Sequence, residues 1–242
     1  MNQIARPKKL AVSGAPGERA RSRILDTAED LFAREGPAAV TLRSIAAAAQ
    51  VNVAAVNYYF GSKENLFEEM FLRRIIPLNE ERLTRLADCV ARANGAPPLE
   101  DIVAAYVLPA LRLTDAASAS ARAIVVQYSL GRVLAMPEVN EKLARYYAQV
   151  REEFVAALLR VLPHLAPHEV VWRYYWMGGS LMVALAVPSA TPGSPLSAAT
   201  PPAATGTMAD HLIAFLVQGF RASPVPKRQR NPGGKKAAAG GI

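Results

Sequence analysis

The chain has 242 residues, 51% apolar but only 7% aromatic, so its core material is mainly Ala, Leu and Val, which favours packed helices over a sandwich or barrel. A single cysteine, Cys89, excludes an internal disulfide and any multi-cysteine zinc or iron–sulfur site. Of the net charge of +8, residues 1–23 carry +5 and residues 221–242 carry +6, which leaves the body at −3 and points to a local polyanion contact rather than general coating of nucleic acid.

In chain order, residues 1–17 hold Pro7, Gly14, Pro16 and Gly17 without periodicity and read as a flexible basic arm. Met1 to Glu18 is polar and basic, so no secretory h-region is expected. Ile24, Ala28, Leu31 and Phe32 then mark one face of a helix that Gly36-Pro37 should stop. A short helix follows Thr41, a good N-cap, and buries Leu42, Ile45, Ala46 and Ala49. After the turn Gln50-Val51-Asn52, Asn52 caps a third helix that Gly61 ends, and Ser62 caps a fourth running from Lys63 to about Ala93. Pro77 should kink that long helix. Beyond the break at Asn94–Pro98, helical segments are predicted near 99–113, 117–135, 138–162 and 167–187. Residues 188–206, rich in Pro, Ser, Ala, Thr and Gly, read as a mobile loop, 207–221 as a last amphipathic helix, and 223–242 as a disordered basic tail. The tail reads equally as a polyanion contact or as a solubilising extension. The longest apolar stretch, Trp176 to Val187, is interrupted by Gly178, Gly179 and Ser180 and is too short to span a bilayer, so the expected protein is cytoplasmic with no membrane partner.

The first three helices have a helix-turn-helix layout. The second and third are too short for a core of their own and must pack on the first through Ile45, Val51, Val56 and Phe60. The second helix of such a pair presents its outer face to a DNA major groove. Here that face offers Val53, Ala54, Ala55, Asn57 and Tyr58, with Asn52 at its cap. Small side chains allow close approach to base edges, and an Asn bonds adenine bidentately. Arg43 and Lys63 are placed to hold phosphates, and the N–H groups at the start of the fourth helix suggest a further anion site.

These residues resemble a known family. Ile24–Gly36 is similar to the first helix of the tetracycline-repressor (TetR) family, Thr41–Ala46 to its second, and Val56–Leu66 to its recognition helix and the start of helix four. The resemblance covers about residues 18–72. It implies an all-α homodimeric repressor with an N-terminal helix-turn-helix domain, a C-terminal helical ligand-binding and dimerisation domain, a palindromic double-stranded DNA operator, and release by a small molecule. It also implies phosphate contacts at Thr41, Arg43, Tyr59 and Lys63, and base or groove contacts at Val53, Ala55, Asn57 and Tyr58. Gln50 departs from the family's usual turn glycine, and Val53 and Ala55 replace frequent Lys and Thr readers. Asn57 stands where Tyr is usual. The run Asn57–Glu64 resembles a subgroup that includes regulators of fatty-acid metabolism, which points to an apolar or amphipathic effector. The implied division is arm 1–17, DNA-binding domain 18–62, ligand-binding and dimerisation domain 63–222, and tail 223–242.

Downstream, Phe71, Tyr106, Tyr128, Tyr147 and Trp176 are the expected pocket lining. Leu181, Met182, Leu212, Phe215, Leu216 and Phe220 are expected to line a four-helix dimer interface. The aromatic cluster Trp172, Tyr174, Tyr175 and Trp176 reads as core or dimer packing before pocket lining. Arg122 and Arg132 read as a solvated face, with a ligand carboxylate as the alternative. His164 and His168 lack a third ligand and a regular helix between Pro163 and Pro167, so no metal is expected. Cys89 beside Asp88 reads as an inert thiol. No phosphate loop, nucleophile elbow or zinc-protease motif appears, so neither enzyme activity nor a cofactor is expected. The alternative within DNA binding is an architectural protein without an effector, for which more than 150 residues of C-terminal domain would have no use.

Overall fold

The computed structural model describes residues 16–114, Val125, 141–186 and 205–224, and the regular elements among them are all helices. In chain order these are α1 (Pro16–Ala39), α2 (Leu42–Ala48), α3 (Val53–Phe60), α4 (Lys63–Arg92) and α5 (Leu99–Leu111), the last prolonged by a 3-10 turn at Arg112–Thr114. After them come α6 (Glu141–Val161), α7 (Pro167–Ala186) and α8 (Thr205–Arg221). The all-α expectation holds. The arm before residue 16, the tail beyond residue 224, Tyr128, Arg122, Arg132 and nearly all of the 117–135 and 188–206 segments lie outside the described residues.

The first three helices pack as their apolar spacing predicts. Ile24, Ala28, Leu31 and Phe32 of α1 are buried against Ile45, Ala46, Ala49, Val56 and Phe60, and the start of α4 closes this core with Leu66 and Met70. Gly36 breaks α1 as expected: its φ of 77° lies in the left-handed region, so 37–39 continue in a new direction. Helices as short as α2 and α3 are unstable alone, and tertiary burial is what holds them.

Charge then ties α1 to α4. Arg21 pairs with Glu69 and lies over the Phe60 ring at 5.4 Å. Arg73 pairs with Asp26 at 2.6 Å, and Arg74 donates from Nε to the buried Glu29 at 3.0 Å. The three-helix head is thereby fastened to the helix that runs into the rest of the molecule. Helix α4 continues through Pro77, whose ring is exposed, so the missing backbone bond falls on the solvent side.

The same core continues through Ile102, Val103, Val107, Phe154, Leu158 and Met177 of α5, α6 and α7. Arg173 closes the end of α8: its Nη1 donates to the carbonyls of Gly219, Phe220 and Ala222 at 3.0, 2.8 and 2.7 Å. These are carbonyls at a helix C-terminus, where a cation is favoured.

The burial of α7 and α8 corrects the expected dimer stripe. Leu181, Leu216 and Phe220 are buried inside the protomer, and Met182 and Leu212 are half-buried. Of that set only Phe215 is exposed, at 68%. The apolar side chains facing outward are instead Trp172, Trp176 and Val183 on α7, together with Phe215 on α8. Spacings of four and seven residues place the first three on one face. No described helix is long and apolar enough to cross a membrane.

Candidate nucleic-acid interface

Local capping fixes the position of α2 and α3. Thr41 and Ser44 form a reciprocal capping box: the Ser44 N–H donates to Thr41 Oγ1 at 3.1 Å, and the Thr41 N–H donates to Ser44 Oγ at 2.9 Å. Thr41 therefore holds a helix start, and it remains exposed. At the other end of α2 the N–H of Gln50 donates to Ala47 O and that of Val51 to Ala46 O, at 3.2 and 3.0 Å, the paired bonds of a Schellman motif. Gln50 takes the left-handed position itself, with φ 53°. Both Schellman bonds thus form with Gln50 where a glycine is usual. Asn52 Oδ1 accepts the Ala54 N–H at 2.9 Å, so its side chain caps α3.

On α3, Val56 and Phe60 face the core, while Ala54, Asn57 and Tyr58 face solvent. Tyr58 is 84% exposed, an uncommon position for a large ring unless it meets a partner. Val53, Ala55 and Tyr59 are half-buried. The Tyr59 hydroxyl approaches the backbone of Gly17, where an added Cβ would lie 3.1 Å from it. Tyr59 therefore joins α3 to the start of α1, where the chain emerges from the arm.

Arg43 on α2 is exposed and Lys63 at the start of α4 half-buried; neither makes an ion pair among the described residues. The start of α4, the expected anion site, carries side-chain acceptors of its own. Ser62 Oγ accepts the Asn65 N–H at 3.1 Å. Glu64 is held below the usual carboxylate range by its own backbone N–H and by the Ser62 hydroxyl. Two of the N–H groups at the start of α4, those of Glu64 and Asn65, thus already face side-chain acceptors of this chain.

The predicted pocket residues fall into separate groups. Phe71 stacks on Tyr147 at 6.5 Å, and Tyr106 lies edge-on to Phe154 and Tyr174 at 5.2 and 5.5 Å. Trp176 joins neither group; it is 63% exposed on the outer face of α7, packed on Trp172. An open groove of about 600 Å³ between α4 and α5 is lined by Arg85, Asp88, Cys89, Arg92 and Asp101, with small alanines, and includes none of the predicted pocket residues. Burial and the nearby Asp101 push the Cys89 thiol up, which keeps it protonated. The sequence reading missed Arg82 and Asn79, both buried in α4. Their position on the stripe Ile75, Asn79, Arg82, Leu86 and Cys89, at steps of three and four, was the available signal.

A short helix pair on a rigid base, with an exposed polar and aromatic face and flanking cations, defines a helix-turn-helix DNA-binding protein. Comparison with known families is consistent with this. Residues 24–70 match the model for bacterial regulatory proteins of the tetR family, and residues 104–219 match the tetracyclin repressor-like C-terminal domain. The chain belongs to the tetracycline-repressor family of transcriptional regulators.

Among curated relatives it is 38% identical over 77 residues to the uncharacterized HTH-type transcriptional regulator Rv1255c of Mycobacterium tuberculosis, across 32% of this chain and 38% of that protein. It is 47% identical over 49 residues to the HTH-type transcriptional repressor Rv3405c of the same species, across 20% of this chain and 26% of that protein. The match thus spans well under half the length of these relatives. The fold is similar to that of AibR solved with isovaleryl coenzyme A and operator DNA, with TM-score 0.59, 15% identity, and coverage of 82% of this chain and 98% of that one. It is also similar to the ketosteroid regulator KstR2 of Mycobacterium tuberculosis, with TM-score 0.54, 20% identity and coverage of 82% and 93%.

Proposed function

We propose that this regulator represses transcription as a homodimer on a palindromic operator and leaves the DNA when a small apolar or amphipathic effector binds its C-terminal helices. The observation that carries the reading is the α3 face, where Asn57 and Tyr58 project from a helix whose other side is buried. Asn57 is the base reader and Tyr58 the groove contact, with Val53, Ala54 and Ala55 permitting close approach. Thr41, Arg43, Tyr59 and Lys63 position the backbone, and Asn52 fixes the start of the reading helix. The basic arm 1–17 tracks an adjacent groove, 18–62 form the reading head, 63–222 the effector and dimer domain, and 223–242 a basic tail.

Dimerisation through α7 and α8 is supported by the outward face of Trp172, Trp176, Val183 and Phe215, an apolar patch of the kind that marks an interface. Near its middle Gly179 has open space around its Cβ position, which lets a partner helix approach closely. The effector acts by population shift. Because α4 is tied to α1 by the Arg73 and Arg74 ion pairs, a change in α4 that follows effector binding moves the heads away from two major grooves roughly 34–36 Å apart. Selection of bound sites from random DNA tests the reading. A palindrome with half-sites one helical turn apart, or a multiple of it, is expected. Recovery of unrelated sequences selected only for bendability favours the architectural alternative.

A further inference from the structure

Helix α4 carries a buried cation that the DNA-binding account does not use. Arg82 is 3% exposed and Asn79, one turn before it, is 4% exposed. Arg82 Nε donates to the Tyr106 carbonyl at 2.8 Å, and Nη1 donates to Asn79 Oδ1 at 3.1 Å. The guanidinium lies 3.9 Å over the Tyr106 ring. Among the described residues no carboxylate pairs with it; the adjacent Glu81 is held by Arg85 at 2.7 Å and by Arg112 at 2.5 Å. A buried charge is costly unless paired, and stacking on one ring compensates only part of that cost.

Two donors remain. The bond to Arg82 fixes the Asn79 amide with its oxygen toward the guanidinium, and Nδ2 is then buried without an acceptor. Arg82 Nη2 makes no hydrogen bond among the described residues. The neighbouring polar group does not neutralise the cation: burial pushes the Tyr174 hydroxyl up, so it stays neutral. The rings around the pair are buried and aromatic, with Tyr106 edge-on to Phe154 and Tyr174.

We propose that Arg82 and Asn79 form a binding site for the carboxylate of an amphipathic monocarboxylic acid, whose apolar body packs on the Tyr106 and Phe154 rings. One cation matches one negative charge, and two donors on adjacent turns match the two oxygens of a planar carboxylate. A phosphate dianion or a multiply charged head group would exceed the single buried charge. The inference deepens the effector reading above and rests on it for any regulatory consequence.

The test uses the full-length protein at neutral pH, with calorimetric titration of octanoate, decanoate and 4-phenylbutyrate and of their methyl esters. At least one carboxylate binds, and its ester binds about 10- to 100-fold more weakly, the range set by losing a hydrogen bond to a charged group. Asn79→Asp gives Arg82 an internal carboxylate, so it folds with a raised melting temperature and loses carboxylate binding by at least the same factor. Arg82→Lys keeps the charge without the fork and weakens the acid while leaving the ester unchanged. The proposal is overturned if no carboxylate binds, if acid and ester bind alike, or if Asn79→Asp leaves acid binding intact. The site and the effector reading fail separately. Esters that bind and release the selected operator while the acids do not remove the site alone. Arg82-dependent acid binding without operator release keeps the site and removes the effector reading.

Discussion

Gln50 offers a measurement of strain at the turn that sets the angle between α2 and α3. Its φ of 53° places an L-residue in the left-handed region, at a cost of roughly 1–2 kcal/mol from the crowding of Cβ against the backbone. Gln50→Gly removes that cost. The side chain is exposed, so no packing is lost, and the residue lies beyond the last helical position, so no helix propensity is lost. Both Schellman bonds are backbone bonds and survive the change. Against the gain stands the larger conformational freedom of glycine in the unfolded chain, about 0.4–1 kcal/mol. The net stabilisation is therefore about 0.5–1 kcal/mol. At roughly 2–4 °C per kcal/mol for a chain of this size, thermal melts followed by circular dichroism should rise by about 1–4 °C. Gln50→Ala retains Cβ and should show no such rise, and Gln50→Val should melt lower than wild type. If the glycine variant melts no higher than the alanine variant, the turn is not strained and the reasoning fails.

Three further outcomes follow from the interface. Asn57→Ala should weaken the selected operator by about 1–3 kcal/mol and relax one position per half-site in a mobility-shift panel of single-base variants, whereas Lys63→Ala should weaken all sequences alike. Glu64→Gln should tighten DNA binding about 2- to 5-fold at low salt, because the carboxylate competes with a phosphate for the start of α4. The depressed pKa keeps Glu64 ionised at neutral pH, so the same gain should appear in the wild type only as pH falls through that lowered value. The paired substitution Trp176→Glu and Phe215→Glu should give folded monomers by analytical ultracentrifugation with operator affinity lost; an unchanged dimer refutes the α7–α8 interface.

The reading head was legible because its signals are short-range. Thr41, Asn52 and Ser62 cap their helices as their side-chain chemistry requires, and positive φ falls at Gly36 where α1 kinks and at Gly61 where α3 stops. The apolar steps from Ile24 to Phe32 found the buried face of α1. The outward face of α7 was not legible in the same way. That helix is apolar nearly all round, so periodicity cannot separate the side packed on its own protomer, with Met177 and Leu181, from the side bearing Trp172 and Trp176. Arg82 and Asn79 were missed for the converse reason. In a charged stretch of α4, only their register with Ile75, Leu86 and Cys89 places them inside. At the start of α4 the Ser62 hydroxyl accepts the Asn65 N–H and the Glu64 carboxylate pairs with its own, side-chain acceptors that the helix-start signal alone did not reveal.

The central claim is sequence-specific recognition of DNA by α3, and the most direct test is a ratio of affinities. Dissociation constants for the selected palindrome and for a shuffled duplex of equal length and composition are measured by fluorescence anisotropy at one fixed salt concentration near 150 mM. The account predicts a ratio of at least about 10³ in favour of the palindrome, within the range typical of specific regulators, falling sharply in Asn57→Ala. A ratio within about tenfold of unity, unchanged by Asn57→Ala, would contradict it.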